Sequence, residues 1–240
     1  MLFTIRENRA LTALVWKMVL SGDTSAITRP GQFVQVQLPG FYLRRPISVC
    51  DWDSETLTLV YKVVGSGTDA MTGYQPGMQL DLLTGLGNGF DVTACGERPL
   101  LVGGGVGLPP MIGLCRMLLA LGKKPAVLAG FGTASELFLR DEVEKLGAPF
   151  MVTTMDGSLG TKGVVTAALP SIDFDSVCAC GPLPMLKALD QCIQVPAQYS
   201  FEERMGCGFG ACMGCTIKVK GGYKRVCKDG PVLNREEVLW

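Results

Sequence analysis

From Cys95 onward the chain repeats one pattern four times: a short apolar run, then a segment with helical spacing. The runs are Leu100–Val102, Ala126–Ala129, Phe150–Thr153 and Ser176–Ala179. The helical patterns cover about Pro109–Leu121, Ser135–Leu146, Lys162–Leu169 and Pro184–Ile193. Successive strand–helix units close as a parallel sheet with helices on its faces. A doubly wound α/β domain is therefore expected over residues 95–195.

The flanks follow other rules. Residues 11–92 carry short β-rich runs bounded by turns, among them Val34–Leu38, Thr56–Val64 and Met78–Leu83. Strands at that spacing predict an antiparallel barrel or sandwich, placed at residues 1–94. Helical pattern stops at Val195-Pro196, and residues 196–240 read as a small loop-rich domain with a hairpin, Thr216–Lys220 and Tyr223–Val226 about Gly221-Gly222.

Composition removes several functions. Basic and acidic residues balance at 22 each with no long block of one sign, which argues against nucleic acid and polybasic membrane contacts. There is no histidine, so histidine triads, histidine metal sites and Rieske centres are excluded. Pro99–Leu121 has the length of a membrane span, but three adjacent glycines and a Pro-Pro pair break it into strand, loop and helix. MLFTIRENRA lacks the apolar core of a secretory signal. A soluble cytoplasmic protein is expected, its ten cysteines held as thiols or metal ligands.

Four of those cysteines, Cys207, Cys212, Cys215 and Cys227, fall in the last 34 residues at spacing Cys-x4-Cys-x2-Cys-x11-Cys. The first three match the plant-type [2Fe–2S] spacing. Gly206, Gly208, Gly210 and Gly214 would let backbone N–H groups reach the cluster sulfurs. Structural zinc is the rival, although zinc ribbons carry two Cys-x2-Cys knuckles and only Cys212/Cys215 has that form. Buried apolar thiols are the remaining alternative, and the one expected for Cys50, Cys95, Cys115, Cys178 and Cys192.

Two further segments suit a dinucleotide. Strand Leu100–Val102 runs into Gly103-Gly104-Gly105-Val106-Gly107 and then a helix, a turn whose backbone could cradle a phosphate or simply pack tightly. The fourth strand ends at Cys180-Gly181-Pro182, so Cys180 either faces a cofactor or is a core thiol. In the barrel, LRRPISV (43–49) sets Arg44 and Arg45 in an apolar segment, where a guanidinium could pair with a diphosphate or lie on a solvent-facing edge.

Together these segments resemble the ferredoxin–NADP reductase superfamily. The barrel motif of that superfamily, Arg-x-Tyr-Ser/Thr, stands here as Arg45-Pro46-Ile47-Ser48, with Ile47 in the tyrosine's place. RRPIS (44–48), GLGNGF (85–90), GGGVGLP (103–109), CGPLPML (180–186) and the tail from Glu202 to Val232 resemble the electron-transfer subunit of type B dihydroorotate dehydrogenase. The resemblance implies FAD held by Arg45, Pro46, Ile47, Ser48, Val60, Tyr61, Lys62, Gly67 and Thr68. It implies a [2Fe–2S] cluster on the four tail cysteines, and NAD⁺ at Gly103, Gly104, Gly105, Gly107, Gly181 and Pro182, with Cys180 beside the nicotinamide. It further implies an FMN-containing catalytic partner in a heterotetramer of two of each subunit, serving pyrimidine biosynthesis. Electrons would pass from FMN through the cluster and FAD to NAD⁺. Flavin exchanges one electron or two, so it belongs between a one-electron cluster and a hydride acceptor. The loop Gly130–Ser135 has no arginine for a 2′-phosphate, which favours NAD. The rivals are a related flavin/iron–sulfur subunit, of a sulfide dehydrogenase or an NADH-dependent ferredoxin:NADP oxidoreductase, and a non-catalytic zinc-stabilised module on the same scaffold.

Overall fold

A computed structural model describes residues 1–240. Six antiparallel strands close a barrel in the order β1-β2-β5-β4-β3-β6. They are β1 (Leu2–Ala10), β2 (Val15–Ser21), β3 (Phe33–Val36), β4 (Arg45–Trp52), β5 (Thr56–Lys62) and β6 (Gln79–Leu86). Alternate side chains fill the interior: Phe3 and Ile5, Met18 and Leu20, Val34 and Val36, Leu57 and Leu59, Leu80 and Leu82. Closure leaves no edge, so the segment with Arg44 and Arg45 is not a solvent-facing edge strand. The charges of MLFTIRENRA hide β1 in the sequence, yet Phe3 and Ile5 point inward while Arg6 is exposed and donates to Ser21 Oγ at 2.7 Å. A short helix, α1 (Ser66–Thr72), follows β5 and places Met71 in the barrel core.

The second sheet has seven strands in the order β10-β9-β8-β7-β11-β12-β15. These are β7 (Pro99–Gly104), β8 (Ala126–Phe131), β9 (Phe150–Thr154), β10 (Thr161–Lys162), β11 (Ser176–Cys180), β12 (Ala197–Ser200) and β15 (Val232–Asn234). All pairings are parallel except β12 with β15. On one face, α2 (Pro109–Ala120) and α3 (Arg140–Leu146) cover Leu101, Val127 and Ala129. On the other, α4 (Leu183–Cys192) and two 3₁₀ turns cover Leu100, Val102, Leu128, Val177 and Ala179. Both faces are buried, which explains the unbroken apolar runs. No helix is long and apolar enough to cross a membrane.

Three expectations need correction. The helix expected over 162–169 is instead β10 and the 3₁₀ turns Val165–Ala167 and Leu169–Ser171. Gly163 at φ 116° and Pro170 prevent a continuous helix there. The expected helix 135–146 splits into a 3₁₀ turn, Ala134–Glu136, and α3, because Phe138 turns onto the Phe131 ring at 5.5 Å and Leu139 takes a left-handed backbone. Cys192 is exposed at the end of α4 rather than in the core.

The tail divides between two structures. β12 and β15 extend the sheet, while β13 (Thr216–Val219), β14 (Gly222–Arg225) and α5 (Val226–Asp229) form a small separate unit. Barrel and sheet meet where α2 packs on β4: Arg116 Nε and Nη2 donate to Asp51 Oδ1 at 2.9 and 2.6 Å.

Candidate functional site

A cleft of about 340 Å³ opens between barrel and sheet. Its barrel wall is Arg45, Pro46, Ile47 and Ser48 of β4, Val60, Tyr61 and Lys62 of β5, and Thr68 of α1. The sequence singled out all eight, and the fold brings them together because β4 and β5 pair directly. Gly67 belongs to the same corner: a Cβ there would lie 2.3 Å from Arg45 Nε, so a larger residue would displace the guanidinium. The two arginines part company. Arg44 is spent on the barrel, donating to Asp81 Oδ2 at 2.6 Å and Gln37 Oε1 at 2.9 Å. Arg45 makes no ion pair; its guanidinium lies over the Phe41 ring and bonds the Leu43 carbonyl, leaving its charge for an anionic ligand. Tyr61 turns its hydroxyl to Asn8 Oδ1 at 3.1 Å, and burial pushes its pKa up to about 12. Thr68 Oγ1 accepts from Val64 N at 2.9 Å and so braces the turn into α1.

The opposite wall is Ser200, Phe201, Glu202, Glu203 and Met205 with Val106 and Pro231. Sequence reasoning missed the stretch after β12. The available signal was β12 itself, a four-residue strand whose carboxyl end points into the same crevice as that of β11. Glu202 is exposed at the rim of the cleft, and partial desolvation against the cleft wall raises its carboxyl from the ordinary value. Cys180 is 1% exposed and does not line the cleft; Ser200, its side-chain hydrogen-bond neighbour, does. Burial pushes the Cys180 thiol up to about 12, so it stays neutral.

In the turn after β7 the glycines differ in purpose. A Cβ on Gly103 would meet Leu108 Cα at 2.5 Å, one on Gly104 would meet Met185 Sδ at 2.5 Å, and one on Gly107 would meet Cys180 O at 2.1 Å. Gly181 meets Met185 and Gly104 in the same packing. Pro182 caps α4. Gly105 alone has φ +53° and open space beyond it, the geometry that admits a ligand against the backbone.

The cysteine loop lies between β12 and β13. Ala211 N and Cys212 N donate to Cys207 Sγ at 3.2 and 3.4 Å, and Cys227 N donates to Cys215 Sγ at 3.4 Å. These bonds tie Cys212 to Cys207 and Cys227 to Cys215, and Cys207 also lies near enough to Cys227 to oppose its ionisation. No three acidic or thiol side chains converge on a single metal position. Burial opposes ionisation of Cys207, but N–H groups of Cys212, Phe209 and Ala211 and the Cys212 thiol outweigh it and bring the pKa to about 6. Burial, then the Cys215 thiol, push Cys227 up to about 12. Arg225 locks the loop, donating to Gly210 O at 3.1 Å and to Asp229 Oδ2 at 2.9 Å across α5.

Comparison with known proteins identifies the family. Residues 202–239 match the family model described as the iron-sulfur cluster binding domain of dihydroorotate dehydrogenase B. The chain is 40% identical to the dihydroorotate dehydrogenase B (NAD(+)) electron transfer subunit of Geobacillus sp. (strain WCH70), over 98% of this chain and 97% of that one. It is 42% identical to that of Lysinibacillus sphaericus (strain C3-41), over 97% and 95%. Among solved structures it superposes on a chain of the NADH-dependent reduced ferredoxin-NADP oxidoreductase with TM-score 0.90 and 31% identity, covering all of this chain and 90% of that one. With a barrel, a doubly wound sheet and a cysteine loop in the same order along matching lengths, the chain belongs to the family of dihydroorotate dehydrogenase B (NAD(+)) electron transfer subunits.

Proposed function

We propose that Cys207, Cys212, Cys215 and Cys227 hold a [2Fe–2S] cluster, that the cleft holds FAD, and that the chain carries electrons from an FMN-containing catalytic partner to NAD⁺. The observation that carries this reading is the hydrogen bonding of the loop, in which Cys212 N donates to Cys207 Sγ and Cys227 N to Cys215 Sγ, each at 3.4 Å. A two-iron cluster takes two thiolates on each iron, whereas one tetrahedral zinc gathers four about one point. Bound in these sites, the cluster supplies one-electron exchange and the flavin converts single electrons to hydride.

The chain's residues supply binding and orientation. Arg45 offers its free guanidinium to the flavin diphosphate, and Ile47 and Val60 give the cleft apolar walls. Gly105 lets the dinucleotide approach the backbone. Gly103, Gly104, Gly107, Gly181 and Pro182 shape that approach by packing. At the end of β8, Glu136 accepts from Gly132 N at 2.9 Å; an acidic group there suits a ribose hydroxyl and repels a 2′-phosphate, favouring NAD. Cys180 supports the nicotinamide side from behind Ser200, so Cys180→Ala is expected to slow hydride transfer several-fold with FAD content unchanged; an unchanged rate removes it from the site. Phe209 and Met213 stand exposed on the cysteine loop, apolar surface that a catalytic partner would cover in a heterotetramer of two of each subunit. The ten free cysteines suit a reducing cytoplasm.

The test is an absorption spectrum with iron, sulfide and flavin assays on anaerobically purified protein, before and after NADH. About one FAD, two irons and two sulfides per chain, bleached by NADH, is the expected result. A colourless protein with bound zinc overturns it.

A further inference from the structure

The barrel wall buries one carboxamide that has nothing to bond. Along β3, Val34 and Val36 point into the barrel, while Phe33 points outward into the core that also contains Cys215 and Cys227. By the two-residue alternation of a strand, Gln35 faces the same way as Phe33. It is 0% exposed, and neither its Oε1 nor its Nε2 has a hydrogen-bond partner. Its cross-strand neighbours are Pro46 of β4 and Leu83 of β6, neither with a side chain that can bond it. Pro46 lines the cleft. From the other direction comes the cysteine loop: a Cβ on Gly208, beside Cys207, would lie 2.6 Å from Gln35 Nε2. Gly208 has φ +80°, so both its backbone and its lack of a side chain serve this approach.

A buried amide left unpaired costs about 1–3 kcal/mol, and leucine or methionine would fill the same space without that cost. The group that belongs against this loop and accepts hydrogen bonds is the cluster with its thiolate ligands. We propose that Gln35 is the barrel's hydrogen-bond donor to the iron–sulfur centre, its carboxamide N–H bonding a cluster sulfide. The inference rests on the [2Fe–2S] reading above and adds a residue outside the cysteine motif. Two consequences follow from charge. An N–H aimed at sulfur stabilises the reduced, more negative centre and raises its potential. It also fastens the loaded loop to the strand whose neighbour, β4, walls the cleft.

Gln35→Leu and Gln35→Met test this in the intact complex with its catalytic partner. Iron, sulfide and FAD are measured first, then the cluster midpoint potential by EPR-monitored titration, and the iron–sulfur stretching bands by resonance Raman in H₂O and D₂O. Both variants are expected to lower the potential by the equivalent of at least tenfold in the reduction equilibrium, 59 mV for one electron, and to weaken the D₂O shift. Loss of iron from both variants, with FAD and melting temperature kept, is the stronger form of the same result. An unchanged potential and an unchanged D₂O shift overturn the proposal, whatever happens to stability, because packing alone moves neither. A wild-type complex without sulfide or a reducible EPR signal strikes the [2Fe–2S] reading itself and takes this inference with it, so the two failures are distinct.

Discussion

Two glycine-rich loops, 103–107 and 206–214, look alike in the sequence and do opposite work on the cysteine beside each. In the first, backbone packs on backbone: Gly107 sits so close to the Cys180 carbonyl that a Cβ would lie 2.1 Å from it. The Cys180 thiol is sealed in and pushed up to about 12. In the second, the backbone curls around sulfur. Gly208 and Gly210 take left-handed φ of 80° and 92°, and N–H groups converge on Cys207, which drops to about 6. A cysteine beside a glycine loop is therefore either an inert core thiol or a ready ligand. The direction of the neighbouring N–H groups decides which.

The largest effect should appear in thiol chemistry. At pH 7 the thiolate fractions of Cys207 and Cys180 differ by about five powers of ten, and the lower nucleophilicity of the more acidic thiol returns about half of that. Timed alkylation of the cluster-free chain with iodoacetamide, read by peptide mass spectrometry, should label Cys207 at least a hundredfold faster than Cys180. Labelling of Cys207 should fall as pH drops through about 6. A thiol whose pKa is depressed from the ordinary 9.0 favours the folded loop above that value, and the contribution is lost as pH falls through about 6. Equal labelling would erase the contrast between the loops. The next largest effect is on stability. Gly107→Ala drives a Cβ into a carbonyl that has no room to yield, and should cost about 3 kcal/mol or more by thermal or urea unfolding. Gly208→Ala meets the flexible end of Gln35 instead, and should cost about 1–2 kcal/mol, chiefly for its left-handed backbone. Reversal of that order would mean the first loop is the looser one.

Much of this architecture was legible because periodicity and motif spacing are local. RRPIS marked β4, and four apolar runs marked the parallel strands β7, β8, β9 and β11. Where the sequence misled, tertiary packing outweighed local pattern. Val165 and Leu169 are four apart and satisfy a helical template, yet Gly163 and Pro170 break the segment into tight turns. β1 was obscured because Arg6 and Glu7 interrupt an apolar run, although a strand needs only alternate residues inside. The cleft was half legible. Its barrel wall lies on one hairpin, β4 and β5, but Ser200–Met205 comes from the far end of the chain and reaches the cleft only through the pairing of β12 with β11. Gln35 could not have been singled out at all, since its neighbours Gly208 and Leu83 are remote in sequence.

The smallest expected effect separates packing from ligand approach within the first loop itself. Gly105 has φ +53° and nothing within 4 Å of a Cβ position, so alanine there meets no atom of the protein. Its cost is the left-handed backbone alone, about 1 kcal/mol or slightly more in unfolding free energy. If the dinucleotide lies against this backbone, the added methyl stands in its path, and the apparent affinity for NADH should fall about tenfold, or about 1.4 kcal/mol, while FAD content stays constant. Gly104→Ala is the control. Its Cβ presses on Met185 Sδ at 2.5 Å and Pro182 Cδ at 2.9 Å, so its main effect should be on stability, with a smaller loss of NADH affinity than Gly105→Ala. Titration of flavin bleaching by NADH in both variants reads the two effects side by side. A Gly105→Ala protein that binds NADH normally would make the whole turn a packing device, and would move the dinucleotide toward the ends of β11 and β12.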